Sequence, residues 1–245
     1  MSKRGAFIVI EGLDRSGKST QAETLLKNLQ DAKIPSKLIK FPDRSTPIGK
    51  LIDSYLRSES ELDDHAIHLL FSANRWEVVP SIIKDLEQGT TIICDRYAFS
   101  GIAFSASKVH PPAKSASPST FPIQPTPKLS YEWCRSPDIS LPAPDLTLFL
   151  DILPEKAKAR GGYGEERYEK EDVQERVREV FIRIGEEIES SGVGKWVVLD
   201  GGLEKEEVEK SIWDEVNPLT AGLKTPIQKL WDQGRERAME SALYI

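Results

Sequence analysis

Residues 12–19 read GLDRSGKS, with Gly12 and Gly17 five apart and Lys18 and Ser19 directly behind. The apolar run Ala6–Ile10 precedes this stretch, and the amphipathic segment Lys18–Leu29 grows out of it. A glycine-rich turn between a strand and a helix, ending in Lys-Ser, predicts a phosphate-binding loop. Gly12 and Gly17 let the backbone turn its N–H groups inward around phosphate oxygens, Lys18 brings charge to the β- and γ-phosphates, and Ser19 offers a hydroxyl ligand to Mg²⁺. Asp14 and Arg15 lie inside the same loop. A second fixed cation beside the γ-phosphate suits a site that moves this phosphoryl group and does more than hold a nucleotide.

Short runs rich in Ile, Val, Leu and Phe recur at Phe7–Ile10, Leu38–Phe41, Thr91–Cys94, Leu146–Leu150 and Trp196–Leu199. They predict strands buried on both faces of a parallel sheet. Helical patterns separate them: Ala22, Leu25, Leu26 and Leu29 keep the spacing of one helix face, and Asp63–Glu87 predicts a long helix bent at Pro80. The alternation predicts a doubly wound α/β fold, in which ligands lie beyond the carboxyl ends of the strands. Polar residues at those ends are Glu11–Lys18, Pro42–Arg44, Asp95–Tyr97, Asp151 and Asp200.

At 245 residues and 39% hydrophobic, the chain can bury one sizeable core, so a single domain over residues 1–245 is expected. A net charge of −6 argues against a nucleic-acid-binding surface; a nucleic-acid-like ligand should be a small nucleotide held by a few placed arginines. Cys94 and Cys134 show no metal spacing, which argues against structural zinc and fits a reducing compartment. The N-terminus MSKRGAF runs almost directly into the first strand, and no apolar run is long enough to span a bilayer. The expectation is a soluble protein without signal peptide or membrane span, in the cytoplasm and, as a second location, the nucleus.

Two segments break the pattern. Residues 109–128, VHPPAKSASPSTFPIQPTPK, are dense in Pro, Ser, Thr and Lys and predict a surface loop insertion. Residues 155–170 predict a lid, because ARGGYGEERYEK from Ala159 to Lys170 combines hinge glycines at 161, 162 and 164 with the charges of Arg160 and Arg167. Residues 233–245 form a short tail.

Asp95-Arg96-Tyr97 ends the third strand run and should sit beside the phosphate loop. There Asp95 can hold Mg²⁺, directly or through water, and Arg96 can bridge donor and acceptor phosphates. Arg44, closing Phe41-Pro42-Asp43-Arg44, is placed to fork onto an acceptor phosphate, although taken alone it reads equally well as a solvated loop arginine. Phe71 and Arg75 are four apart and share a helix face, a platform and a donor for a planar pyrimidine. Periodicity alone would put Phe71 in the core. Cys94 reads as packing, and His65, His68 and His110 have no partner that the sequence identifies.

GLDRSGKSTQ, FPDR, FSANRWE, DRYAFSG and RGGYGEERYE, in this order and spacing, resemble the thymidylate kinases of the eukaryotic type, nucleoside-monophosphate kinases among the P-loop NTPases. The resemblance runs from about Phe7 to Trp231 and is interrupted near residues 109–128. It implies a five-stranded nucleoside-monophosphate-kinase fold with a lid, Mg²⁺-dependent transfer of the ATP γ-phosphoryl group to dTMP in dTTP synthesis, and a homodimer. ATP then falls to Gly12, Asp14, Arg15, Ser16, Gly17, Lys18, Ser19 and Thr20, with Arg160 packing on the adenine. Arg15, Lys18, Asp95 and Arg96 become catalytic, Arg15 in place of a lid arginine, and the metal falls to Ser19 and Asp95. Asp14 meets the acceptor sugar hydroxyl or organises Mg²⁺ and its waters. For dTMP the resemblance implies Asp14, Arg44 and Arg96, Phe71 under thymine, Arg75 on its O4, and Phe104 and Tyr168 crowding the place of a 2′-hydroxyl.

Such a transfer needs no general base, because a phosphate monoester with a second pKa of about 6 is mostly a dianion near neutrality. Two other readings share the loop: a kinase for another nucleoside monophosphate, and a noncatalytic or regulatory P-loop protein. No NKxD-like guanine-reading segment is present, and Arg44 with Arg96 favours a monophosphate acceptor over a neutral nucleoside.

Overall fold

The computed structural model of the chain describes residues 3–111, 126–160, 167–168 and 170–232. Residues 112–125 of the insertion, residues 161–166 and 169 of the lid with its hinge glycines, and the tail 233–245 lie outside the described residues.

Phe7–Gly12 (β1) is buried along its whole length because each of its faces meets a layer of helices. Phe7 and Val9 enter one cluster with Phe99, Phe149 and Phe181, while Ile8 and Ile10 enter another with Leu25, Leu29, Val208 and Ile212. The period-two alternation of a strand thus feeds two cores at once. Lys18–Asp31 (α1) follows β1, then Ser36–Lys40 (β2), Pro47–Leu56 (α2), Asp64–Trp76 (α3), Val79–Glu87 (α4), Thr91–Asp95 (β3) and Ala98–Ala106 (α5). Beyond the insertion come Tyr131–Arg135 (α6), a 3-10 turn at Ser136–Asp138, Leu146–Asp151 (β4), Pro154–Ala159 (α7), Glu171–Ser191 (α8), Lys195–Asp200 (β5) and Lys205–Val216 (α9). The strands form one parallel sheet in the order β2-β3-β1-β4-β5. This is the doubly wound five-stranded fold expected from the sequence.

Two details differ from the sequence reading. β1, β3 and β4 are buried on both faces, but β2 and β5 are the sheet edges and leave part of their residues exposed, Val198 to 59%. The stretch 63–87 is two helices, broken at Glu77–Val78 and not bent at Pro80. Pro80 lies in the first turn of α4, where a missing N–H costs no hydrogen bond. Among the described residues no helix is long and apolar enough to cross a membrane.

The ends of the insertion lie side by side: Val109 bridges Pro127 antiparallel, and the Lys128 N–H donates to the Lys108 carbonyl at 2.8 Å. Ile52 and Tyr55 of α2 and Ile67 of α3 form a third, smaller cluster on which Phe71 and Tyr168 pack.

His68 of α3 has the partners that the sequence did not reveal. Its Nε2–H donates to the Cys134 carbonyl at 2.7 Å and its Nδ1 accepts from the Ser105 hydroxyl at 2.8 Å, the tautomer that the carbonyl requires. Burial, then the nearby Arg75 charge, push its pKa down from 6.5 to about 4. The unfolded chain therefore binds a proton between about pH 6.5 and 4 that the folded chain refuses, so stability falls as pH falls through this window. The loss should reach about 3 kcal/mol near pH 4 and vanish above pH 7. Urea denaturation of wild type and His68→Gln across this range checks it: the stability difference should shift in favour of the variant on acidification, and a pH-independent difference would refute the assignment.

Candidate active site

Between β1 and α1 the chain forms the predicted loop. Gly12 has φ 152°, and a Cβ there would stand 2.6 Å from the Leu150 carbonyl oxygen of β4; Gly17 precedes α1 at φ 93°. Both positions need glycine for that reason. Lys18 is buried and folds back onto the Leu13 carbonyl, with Ser16 Oγ at 3.3 Å. Burial, reinforced by the Arg96 charge, pushes its ammonium down to about 7; an arriving polyphosphate would favour the charged form again. Arg15 holds a positive φ of 64°, uncommon outside glycine. Arg160 secures that turn, donating from Nη1 to the Arg15 carbonyl at 3.1 Å and from Nη2 to the Gly201 carbonyl at 2.6 Å.

Parallel pairing of Ile10 with Asp95 brings the segment after β3 to the loop. Arg96, also at positive φ (68°), donates to the Gly12 carbonyl and to Ser100 Oγ, both at 3.0 Å, and forms an ion pair with Asp14. Beneath it lies Glu11, fully buried, whose Oε1 accepts from the N–H groups of Tyr97 at 2.8 Å and Ser100 at 3.0 Å, and whose Oε2 accepts from the Ser100 hydroxyl at 2.5 Å. Burial holds this carboxyl above the ordinary carboxylate range, against the pull of Arg96 and these hydrogen bonds. α5 has no side-chain cap from its own N-cap residue, so Glu11 serves its first turn instead. Asp95 accepts from the Ser19 hydroxyl at 2.5 Å and lies 3.4 Å from Lys40 Nζ. Burial opposes its charge, yet Lys18, Ser19 and Arg96 hold it below the ordinary range. Its Oδ1 is buried with no hydrogen-bond partner among the described residues.

One cavity of about 460 Å³ runs from this loop to α3 and α5, lined by Asp14, Arg15, Gly17, Lys18, Ser19 and Thr20 at one end and by Arg44, Phe71, Arg75, Phe104 and Tyr168 at the other, with Arg96 along it. Gly12, Ser16, Asp95 and Arg160 are not among the lining residues. Arg44 pairs with Asp53 at 2.7 Å. Its loop is pinned by buried Asn74, which accepts from the Asp43 N–H at 2.8 Å and donates to Thr46 Oγ1 at 3.1 Å. Phe104 and Tyr168 pack with ring centroids 5.3 Å apart, and the Arg96 guanidinium lies 5.3 Å from the Phe104 ring centre. Arg167 grips Glu61 with both terminal nitrogens, at 3.0 and 2.8 Å, and stacks 4.1 Å from the Tyr55 ring centre. Asp151 and Asp200 take no part: Arg178 holds the first at 2.7 and 2.6 Å, and the second accepts from the Gly202 N–H at 2.7 Å.

The sequence model of the family described as thymidylate kinase matches residues 10–212. The chain belongs to the thymidylate kinase family. It is 48% identical over 219 residues to the thymidylate kinase of Schizosaccharomyces pombe, covering 89% of this chain and 95% of that protein. With the thymidylate kinase of Homo sapiens it shares 40% identity over 231 residues, 94% of this chain and 99% of that one. A solved thymidylate kinase structure from Candida albicans, an enzyme described as having broad substrate specificity, is 43% identical and matches with a TM-score of 0.77 over 94% of this chain and 99% of that chain.

Within this thymidylate kinase site, several side chains do work that sequence motifs alone do not show. Gln174 of α8, 1% exposed, accepts from the Asp14 N–H at 3.1 Å and donates from Nε2 to Asp14 Oδ2 at 2.8 Å and to the Tyr168 carbonyl at 2.9 Å. It ties the phosphate loop to the backbone at Tyr168. Glu11 carried a signal, a charged residue directly after the apolar run Phe7–Ile10. Gln174 carried none, because it sits in an ordinary helical pattern, and Asn74, although inside FSANRWE, carries no cue to its partners in the Arg44 loop. Among the described residues no group of three or more His, Cys, Asp or Glu gathers to hold a metal. The orphaned Oδ1 of Asp95 and the adjacent Ser19 hydroxyl are instead a sparse pair of hard oxygen donors, which fits Mg²⁺, an ion that keeps several waters and takes phosphate oxygens.

Proposed function

We propose that this chain transfers the γ-phosphoryl group of ATP to dTMP, giving dTDP and ADP, as a Mg²⁺-dependent homodimer. The observation that carries the reading is the continuity of one cavity from Lys18 and Ser19 to Phe71 and Arg75, with Arg15, Arg44 and Arg96 along it. A donor triphosphate and an acceptor monophosphate placed end to end present two anions to each other, and the cations lining the cavity offset that repulsion.

The acceptor phosphate is already nucleophilic near pH 7, so the residues need only align and neutralise. Lys18 and the loop amides hold the donor phosphates at the start of α1, where the helix dipole favours anions. Arg15 stabilises charge that develops on the moving group. Arg44 and Arg96 hold the acceptor phosphate, Phe71 supports its base, and Arg75 donates to a carbonyl on that base. Asp14, fixed by Arg96 and Gln174, presents a carboxylate oxygen to the acceptor sugar or to water about the metal. Phe104 and Tyr168 close the sugar side. Ser19 and Asp95 are the residues that would hold Mg²⁺, which supplies charge neutralisation on the β- and γ-phosphates when bound. Support for a homodimer comes from Leu51 of α2 and Leu69 and Trp76 of α3, large apolar side chains left exposed on two packed helices.

A coupled ADP-release assay over a panel of monophosphates tests the assignment. dTMP should be the best acceptor, dUMP weaker and ribonucleotides poor; preference for another base would overturn the reading of Phe71 and Arg75.

A further inference from the structure

We propose that Asp138 is a specificity-determining positioning residue, fixing which edge of the Arg75 guanidinium faces the acceptor base; the inference rests on the dTMP reading above. Arg75 and Asp138 come from distant parts of the chain, α3 and the turn after α6, and both are buried, at 2% and 0% exposure. Asp138 Oδ1 accepts from Arg75 Nε at 3.2 Å and from the Ser72 hydroxyl at 2.7 Å, and Oδ2 accepts from Arg75 Nη2 at 2.5 Å. The fork therefore consumes the Nε–Nη2 edge. Nη1 has no hydrogen-bond partner among the described residues, and Arg75 lines the cavity beside Phe71.

The carboxylate is itself anchored. The Pro137 carbonyl accepts from Trp76 Nε1 at 2.9 Å and lies 3.1 Å from Ser72 Oγ, whose one proton it can only share with Asp138, so one face of α3 holds the turn that holds Arg75. Gly101 of α5 leaves room for the guanidinium: a Cβ there would lie 2.8 Å from both Nη1 and Nη2. Forked onto Asp138 along its Nε–Nη2 edge and packed close to Gly101, the guanidinium is held in one orientation. What it shows the cavity is a donor and nothing else, since arginine has no acceptor. A pyrimidine with a 4-oxo group satisfies that donor. A 4-amino group sets donor against donor and leaves both unpaired, a mismatch that buried polar sites reject strongly.

The test measures kcat and KM for dTMP, dUMP and dCMP, and KM for ATP, in wild type, Asp138→Asn and Ser72→Ala. In Asp138→Asn the KM for dTMP should rise about tenfold, the preference for dTMP over dCMP should fall by at least tenfold, and the KM for ATP should stay within twofold. Ser72→Ala, which removes one anchor and keeps the charge, should give the same pattern at about threefold and decides the matter if Asp138→Asn does not fold. A lowered melting temperature with base preference intact would make the pair merely structural and overturn the proposal. Wild type preferring another monophosphate would instead overturn the dTMP reading itself, so the two failures are told apart.

Discussion

Replacing Arg15 by Ala will lower kcat about a thousandfold while leaving ATP affinity within a few-fold of wild type. Lys18, the loop amides and the start of α1 bind the donor in both states of the reaction, so their contribution to affinity survives the change. Arg15 differs because it lines the same cavity as Lys18 and Arg96 without belonging to the loop's phosphate-cradling amides, and is assigned to the charge that builds up only as the phosphoryl group leaves ADP. Arginines aimed at that charge are worth about 10³–10⁵ in rate in phosphoryl transfer. The side chain is delivered there by a backbone at φ 64° that Arg160 holds through the Arg15 carbonyl, a conformation kept at some cost in strain. Steady-state kinetics together with titration calorimetry of ATP check the split. A loss confined to ATP affinity would remove Arg15 from the transition state.

Glu11→Ala should be the most damaging single change outside the cavity lining, costing about 3 kcal/mol of stability and much of the activity. The carboxylate is fully buried and takes two backbone N–H groups and a hydroxyl at the start of α5. Its removal strands those buried donors and deletes the counter-charge under Arg96. Arg96 would then lose the platform that supports its own left-handed turn, and with it the aim of the guanidinium at Asp14 and the cavity. Glu11→Gln keeps the shape and one acceptor oxygen, and should recover more stability than activity. Chemical denaturation and kcat/KM for both variants provide the check; a Glu11→Ala protein within 1 kcal/mol of wild type, by this order-of-magnitude scale, would refute the account.

What the sequence made legible was local. The phosphate loop, the strand runs and the segment after β3 each carry their signal within a few residues, and β1 beside β3 follows from the parallel fold. What it hid depends on distant partners. Glu11 meets Tyr97 and Ser100, 86 and 89 positions away; Gln174 meets Asp14 across 160; Asp138 meets Arg75 across 63. A short apolar run does not say whether it is central or at an edge, so β2 and β5 read like β1. Pro80 misled for a related reason, since a proline in the first turn of a helix looks like one that bends a longer helix until the break before it is seen. His68 gave nothing away because its partners, Ser105 and the Cys134 carbonyl, come from α5 and α6.

The central claim is transfer of the terminal phosphoryl group of ATP to dTMP within one cavity. The most direct measurement follows ATP labelled in its γ-phosphate, with Mg²⁺ and dTMP, through a single turnover on excess enzyme. The account predicts that the label appears in dTDP at the rate at which it leaves ATP. Label appearing in inorganic phosphate, or remaining in ATP until a different monophosphate is supplied, would contradict it.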